Sequence, residues 1–311
     1  MKKFVPLLAC AILVAHLPLS AREAKPAPAP GEIVAAAKAS EWVAIAPSDL
    51  LVMDLAPDAK GKPRRVVIQL MPAPFSQGWV GNIRKLAAAK FWDGTSINRV
   101  QDNYVVQWGD ATEKKALPEG LAVVPESEYV ARSEALDGWM DPQAAGPFGL
   151  TLKDIYGTSH PMGGWPLASA AREMWPTHCY GMVDVGRDLS PDTGTGAELY
   201  TVIGHAPRHL DRNIALVGRV IEGIGYLSSL PRGTGALGFY EKEGERVPIL
   251  SVRLSNEAKD VATFEYLSTE SKSFAAYADA RANRRDPFFI LPAGGADICN
   301  IPVPVRRNVA K

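Results

Sequence analysis

The sequence predicts a mainly β protein: a closed antiparallel eight-stranded barrel capped by two helices, with a long insertion and a C-terminal extension. Three observations predict it. Seven or eight short runs are rich in β-branched and aromatic residues. Two stretches among them carry apolar residues at helical spacing. A Pro-, Gly- and Trp-rich segment of weak periodicity divides the runs into two groups.

In chain order, Leu50–Leu55 and residues 65–70 read as a hairpin, joined by turn-forming residues between Asp58 and Pro63. Phe75, Trp79, Ile83, Leu86 and Ala87 then recur as one helix face, with Ser76 placed to cap its start and Asp93-Gly94 past its end. Ser96–Val100 and residues 104–108 are strands on either side of the turn Gln101-Asp102-Asn103. Residues 111–177 read as a decorated insertion, with a short helix expected between Leu167 and Met174. Strands resume at 179–185, 199–203 and 214–220. Residues 221–230 form the second helix, weakened by Gly223 and Gly225, and Val247–Leu254 completes the set. The barrel domain is thus expected over 41–255. Residues 256–311 hold one more amphipathic helix, using Phe274, Tyr277 and Ala278 and stopped by Asp286-Pro287. This extension is too short for a core of its own and is expected to pack on the barrel.

The chain has 311 residues, 47% of them hydrophobic, enough to bury a sizeable core. Lys+Arg and Asp+Glu both number 34, and this balance argues against nucleic acid as the main partner, which asks for a basic excess. Lys2 and Lys3 precede an apolar stretch from Phe4 to Leu19, and Leu19-Ser20-Ala21 fits a cleavage site. Residues 1–21 therefore read as a signal peptide, and the mature chain as periplasmic or secreted. Pro6, His16 and Pro18 interrupt the stretch, which is too short to span a bilayer. Leu7-Leu8-Ala9-Cys10 resembles a lipobox, but Cys10 comes early for one; membrane attachment would follow only from its lipidation. Residues 22–40 read as a Pro/Ala-rich linker, with structure starting near Glu41. Cys179 and Cys299 remain after cleavage, either bonded to each other or as two separate thiols.

Four stretches carry a resemblance: RVVIQL, INRVQDNYVVQWGD, GAELYTVIG and LDRNIALVGRVIEG. In order and spacing, from about Leu50 to Leu254, the chain resembles the cyclophilin-type peptidyl-prolyl isomerases, most nearly exported bacterial cyclophilin-like proteins with long additions. The family's F-H-R corresponds to Ile97-Asn98-Arg99, which makes Arg99 the implied catalytic arginine. Its F-M-x-Q corresponds to Tyr104-Val105-Val106-Gln107, so Tyr104 and Val105 would line the proline pocket and Gln107 would be the active-site glutamine. Its M-A-N corresponds to Met182-Val183-Asp184, implied to touch the substrate backbone. Its G-S-Q-F-F corresponds to Gly196-Ala197-Glu198-Leu199-Tyr200, with Tyr200 the second pocket aromatic and Glu198 in place of a glutamine. Its W-L-D-G-K-H corresponds to His209-Leu210-Asp211-Arg212-Asn213-Ile214. Leu210 keeps the pocket role, His209 stands where many members have tryptophan, and Ile214 where they have histidine.

The resemblance implies X–Pro isomerisation of proline-containing polypeptides. Rotating the planar amide costs about 18–20 kcal/mol, and a turnover of about a thousand per second requires lowering that by about 6 kcal/mol. No bond breaks, so the chemistry asks for no nucleophile, metal or cofactor. Twisting localises the nitrogen lone pair, and a guanidinium beside it stabilises the twisted amide more than the planar one. Glu198 introduces a charge that could pair with Arg99 and compete with substrate. Glu198, His209 and Ile214 also admit a different class, a catalytically weak module that binds a proline-containing segment. Other features are bland. Residues 232–238, RGTGALG, lack the strand-then-helix context of a phosphate loop. Pro207 spoils His205 and His209 as a metal pair, and Asp188 and Asp192 read as turn formers.

Overall fold

The computed structural model describes residues 26–132 and 152–308. The expected signal peptide, its cleavage point after Ala21 and Cys10 lie outside the described residues. The chain enters through helix α1 (Pro30–Ala35) and strand β1 (Trp42–Ile45), then runs through β2 (Leu50–Leu55) and β3 (Arg64–Leu70), helix α2 (Gln77–Ala88), β4 (Ser96–Val100) and β5 (Val105–Gly109). The insertion supplies β6 (Ala131–Arg132), β7 (Leu152–Lys153), β8 (Thr158–Met162), β9 (Trp165–Ala170) and β10 (Glu173–Pro176). There follow β11 (Met182–Val185), β12 (Leu199–Val202), β13 (Leu216–Glu222), helix α3 (Ile224–Ser228) and β14 (Val247–Leu254). The extension ends the chain with β15 (Phe264–Leu267), helix α4 (Lys272–Ala282) and β16 (Val305–Arg307).

Eight strands close the barrel in the order β11-β12-β5-β4-β14-β2-β3-β13, every pair antiparallel. The expected strands are all present, because alternating apolar residues must face the interior along each of them. Met53, Val66, Ile68, Ile97, Val106 and Leu216 are buried there. α2 packs on the barrel through Trp79, Ile83 and Leu86, all fully buried. The Trp79 indole N–H donates to the carbonyls of Thr193 and Gly194, and that of Trp92 to Ala197. Ser76 does occupy the N-cap position, but in the left-handed region, with φ 53°, and its side chain makes no capping hydrogen bond.

Two expectations fail and a third is met in part. The helix between Leu167 and Met174 is instead the hairpin of β9 and β10, turning at Ala171. Each strand there has a partner on both sides within a five-stranded sheet, β6-β10-β9-β8-β7, which outweighs helix propensity in an Ala-rich segment. The N-terminal segment is no free linker: Pro30 is buried in α1, and Ile33, Val34 and Ala37 pack on the cluster around Phe274 and Tyr277 of α4. The extension joins that segment in a three-stranded sheet, β1-β15-β16, with a small core of Trp42, Leu267, Phe274, Tyr277 and Ile301. It still meets the barrel, through Phe264 against Leu50 and Val67.

The insertion sheet is fastened to the barrel by Arg219 of β13. Its guanidinium donates to Gln69 Oε1 at 2.7 and 2.9 Å and to the Gly164 carbonyl at 2.7 Å, and lies 4.4 Å from the Trp165 ring centre. Burial lowers its pKa to about 10. Cys179 and Cys299 are bonded, with Cα atoms 5.2 Å apart, tying the tail to the start of β11.

Candidate active site

Arg99 and Gln107 face each other across the β4–β5 pair, next to a bulge between Ile97 and Arg99. Arg99 Nη1 donates to Gln107 Oε1 at 3.0 Å, Nε donates to the Leu237 carbonyl at 2.7 Å, and Nη2 donates to Gln101 Oε1. The guanidinium carbon lies 5.9 Å from the Tyr104 ring centre and 5.4 Å from that of Phe239. These contacts fix the plane of the fork while leaving other N–H donors free for a ligand. Burial lowers the Arg99 pKa from its ordinary value.

A groove of about 760 Å³ opens beside this arginine. Tyr104, Val105, Tyr200, Leu210 and Ile214 supply its apolar wall. Tyr200 pairs with Gln107 on the neighbouring strand, and burial raises the pKa of its phenol and that of Tyr104, so both are neutral walls. Glu198 also lines the groove. It does not pair with Arg99; its carboxylate takes a hydrogen bond from Gln107 Nε2 at 3.4 Å instead. Burial pushes its pKa up to about 7, against the opposing effect of Gln107 and Asn98.

Of the residues expected at the site, Arg99, Gln107, Tyr104, Val105, Glu198, Tyr200, Leu210 and Ile214 meet at one groove. Met182, Val183 and Asp184 do not reach it; they are buried in β11, and Val185, Gly186 and Arg187 line the groove after them. Asp184 turns inward because His178, fully buried, sits 3.2 Å from its Oδ1. His178 Nδ1 contacts Asp211 Oδ1 at 2.8 Å, and Asp211 accepts from Arg208 Nε at 2.6 Å. Burial alone disfavours the imidazolium, but Asp184 and Asp211 outweigh it and raise the His178 pKa to about 9. His209 is exposed and lies off the groove.

A further part of the wall was not legible from local pattern. Leu237, φ 54°, comes from the Gly-rich segment 232–238, and Phe239, 40% exposed, follows directly after it. Phe239 forms a backbone bridge with Arg99. An aromatic directly after a Gly-rich run was the available signal.

The family model described as cyclophilin type peptidyl-prolyl cis-trans isomerase/CLD matches residues 61–254. A cyclophilin from Hirschia baltica, AquaCyp293, has a similar fold, with a TM-score of 0.64 and 21% sequence identity, over 87% of this chain and 94% of that one. A cyclophilin type peptidyl-prolyl cis-trans isomerase of Cryptosporidium parvum, crystallised in the presence of the dipeptide Ala-Pro, aligns at 12% identity over 65% of this chain and 98% of its own, with a TM-score of 0.37. No curated protein sequence matches this chain significantly.

Proposed function

We propose, from the premise that this chain belongs to the cyclophilin-type peptidyl-prolyl cis-trans isomerases, that it isomerises X–Pro bonds of exported polypeptides and that Arg99 stabilises the twisted amide. One observation carries the mechanism: the guanidinium is held by Gln107 and the Leu237 carbonyl at the edge of the hollow formed by Tyr104, Val105, Tyr200 and Leu210. A proline ring seated in that hollow puts its amide beside a fixed cation. Stabilisation then requires no rearrangement of the fork as the amide twists. Exchange in unfolded chains takes tens to hundreds of seconds without help, which gives such an enzyme a use during folding.

The test is isomerisation of a proline peptide by wild type and Arg99→Ala. A fall in kcat/KM of about 100- to 1000-fold is expected, the usual cost of losing a preorganised donor. Equal rates would remove Arg99 from the mechanism. Action outside the cytoplasm is supported by the signal-like residues 1–21 and by the Cys179–Cys299 bond, which suits an oxidising compartment. Fractionation and N-terminal sequencing check it, with Arg22 expected as the first residue. The Glu198 carboxyl inside the groove favours the second reading, a module that binds proline segments without turnover. Binding of the peptide with no rate enhancement would select it.

A further inference from the structure

Past Gln107 the groove continues into a polar end that the mechanism above leaves unused. We propose that Glu198 and Asn98 form a subsite there, selecting a lysine or arginine side chain next to the proline of the substrate. The proposal rests on the isomerase reading for its substrate and adds the class of substrate.

The first support is placement. Glu198, at the bend just before β12, and Tyr200 within that strand both line the groove, and two residues of chain separate their Cα atoms by at most about 7 Å. An extended peptide advances about 3.3–3.6 Å per residue. A proline against Tyr200 therefore puts a side chain one or two positions away beside Glu198.

The second support is unmet hydrogen bonding. Asn98 is 6% exposed and lines the groove, and its Oδ1 has no donor. The Glu198 carboxylate accepts from Gln107 Nε2 only at 3.4 Å, and the nearby Asn98 side chain offsets part of its burial. An ammonium or guanidinium brings several donors and no acceptor, matching a carboxylate beside an orphan carbonyl oxygen. A neutral side chain would leave both groups short of donors in a half-enclosed site.

The third support is charge. Asp110, Glu113, Asp188 and Asp192 line the same groove, against the arginines at 99, 187 and 246. Arg99 is held by Gln107, Gln101 and the Leu237 carbonyl at the proline end of the groove, and Arg187 donates to the carbonyls of Asp188 and Asn213. Arg246 lines the groove with no acceptor for its Nε among the described residues, so it is a further cation that can compete. The carboxyl has its room from Gly109, where a Cβ would stand 1.8 Å from Glu198 Oε1.

The experiment measures kcat/KM at pH 8 for peptides with lysine, arginine or norleucine at either of the two positions before proline. Wild type, Glu198→Gln and Asn98→Asp are compared by the ratio of basic to neutral peptide within each, so a general loss of activity does not mimic the effect. Wild type should favour the basic peptides about tenfold, equivalent to about 1.4 kcal/mol. The ratio should fall to about twofold or less in Glu198→Gln and in 0.5 M salt, and rise in Asn98→Asp. A ratio near one in wild type, or a ratio unchanged in Glu198→Gln, overturns the proposal and leaves the isomerase reading intact. If no peptide is turned over, the isomerase reading fails separately, and Kd values for the same peptides decide the subsite: a tenfold basic preference supports it and equal values overturn it. If Glu198→Gln does not fold, the salt series and Asn98→Asp decide, and no change in either overturns the proposal.

Discussion

Burial holds the Glu198 carboxyl at about 7, against an ordinary value of 4.5, because the groove wall strips water from the charged form. The folded pKa lies above the unfolded one, so the favourable contribution is present below about pH 4.5 and is lost as pH rises through about 7. Glu198→Gln should therefore gain stability relative to wild type across that window, read from urea midpoints at pH 4.5 and 8. An unchanged difference would mean that the carboxyl is solvated in solution. His178 follows the same sign for a different reason. Two buried carboxylates raise its pKa from 6.5 to about 9 despite its own burial, so its contribution is complete below about pH 6.5 and lost through about 9. The imidazole resonances should titrate near pH 9 by NMR; titration near 6.5 would show that Asp184 and Asp211 do not hold the charge.

The β4–β5 hairpin places Tyr104 through its turn, and that turn leans on another strand end. The Ile203 N–H donates to the Tyr104 carbonyl at 2.8 Å, and the His205 N–H to Asn103 Oδ1 at 3.0 Å. Gly204 lies between them, and a Cβ there would meet the Asn103 carbonyl carbon at 2.0 Å. Gly204→Ala must displace the turn, and with it the tyrosine that stacks beside Arg99. We expect a loss of about 1–3 kcal/mol of stability, typical of overpacking, and a fall in kcat/KM while far-UV circular dichroism keeps the barrel signature. Full activity would show that the turn's position does not set the hollow. The hairpin itself was legible in the sequence, since β-rich runs lie on both sides of the turn Gln101-Asp102-Asn103, but the bulge between Ile97 and Arg99 that lets both Ile97 and Val100 be buried was not. β9 and β10 were not legible. Their strand character comes from neighbours on both sides, which local pattern does not reveal.

Across the whole molecule, insertion, extension and barrel brace one another. Gly163 and Gly164, at the β8–β9 turn, donate their N–H groups to Glu270 Oε1 and Thr269 Oγ1 of the extension, while Arg219 holds the Gly164 carbonyl from the barrel. The Cys179–Cys299 bond spans a sequence separation of 120 and closes this arrangement. In the chain-entropy model a loop of that length stabilises the fold by about 4–5 kcal/mol. Reductant should lower Tm markedly at pH 8, and Cys299→Ser should show the lowered Tm without reductant. An unchanged Tm in both would mean that the packing of Ile298 and Ile301 alone anchors the tail.

By itself the sequence determined the barrel strands, because their β-rich runs must bury an apolar face, and its resemblance to the family pointed to Arg99, Tyr104, Gln107 and Tyr200. Only the tertiary structure decided three further things. Asp184 belongs to a buried network with His178 and Asp211 rather than to the groove. Leu237 and Phe239 close the wall around Arg99 from more than a hundred residues away in sequence. Glu198 faces Gln107 and Asn98 instead of the arginine. Each depends on which distant side chain arrives first at a buried polar group, and residue order does not encode that partner directly.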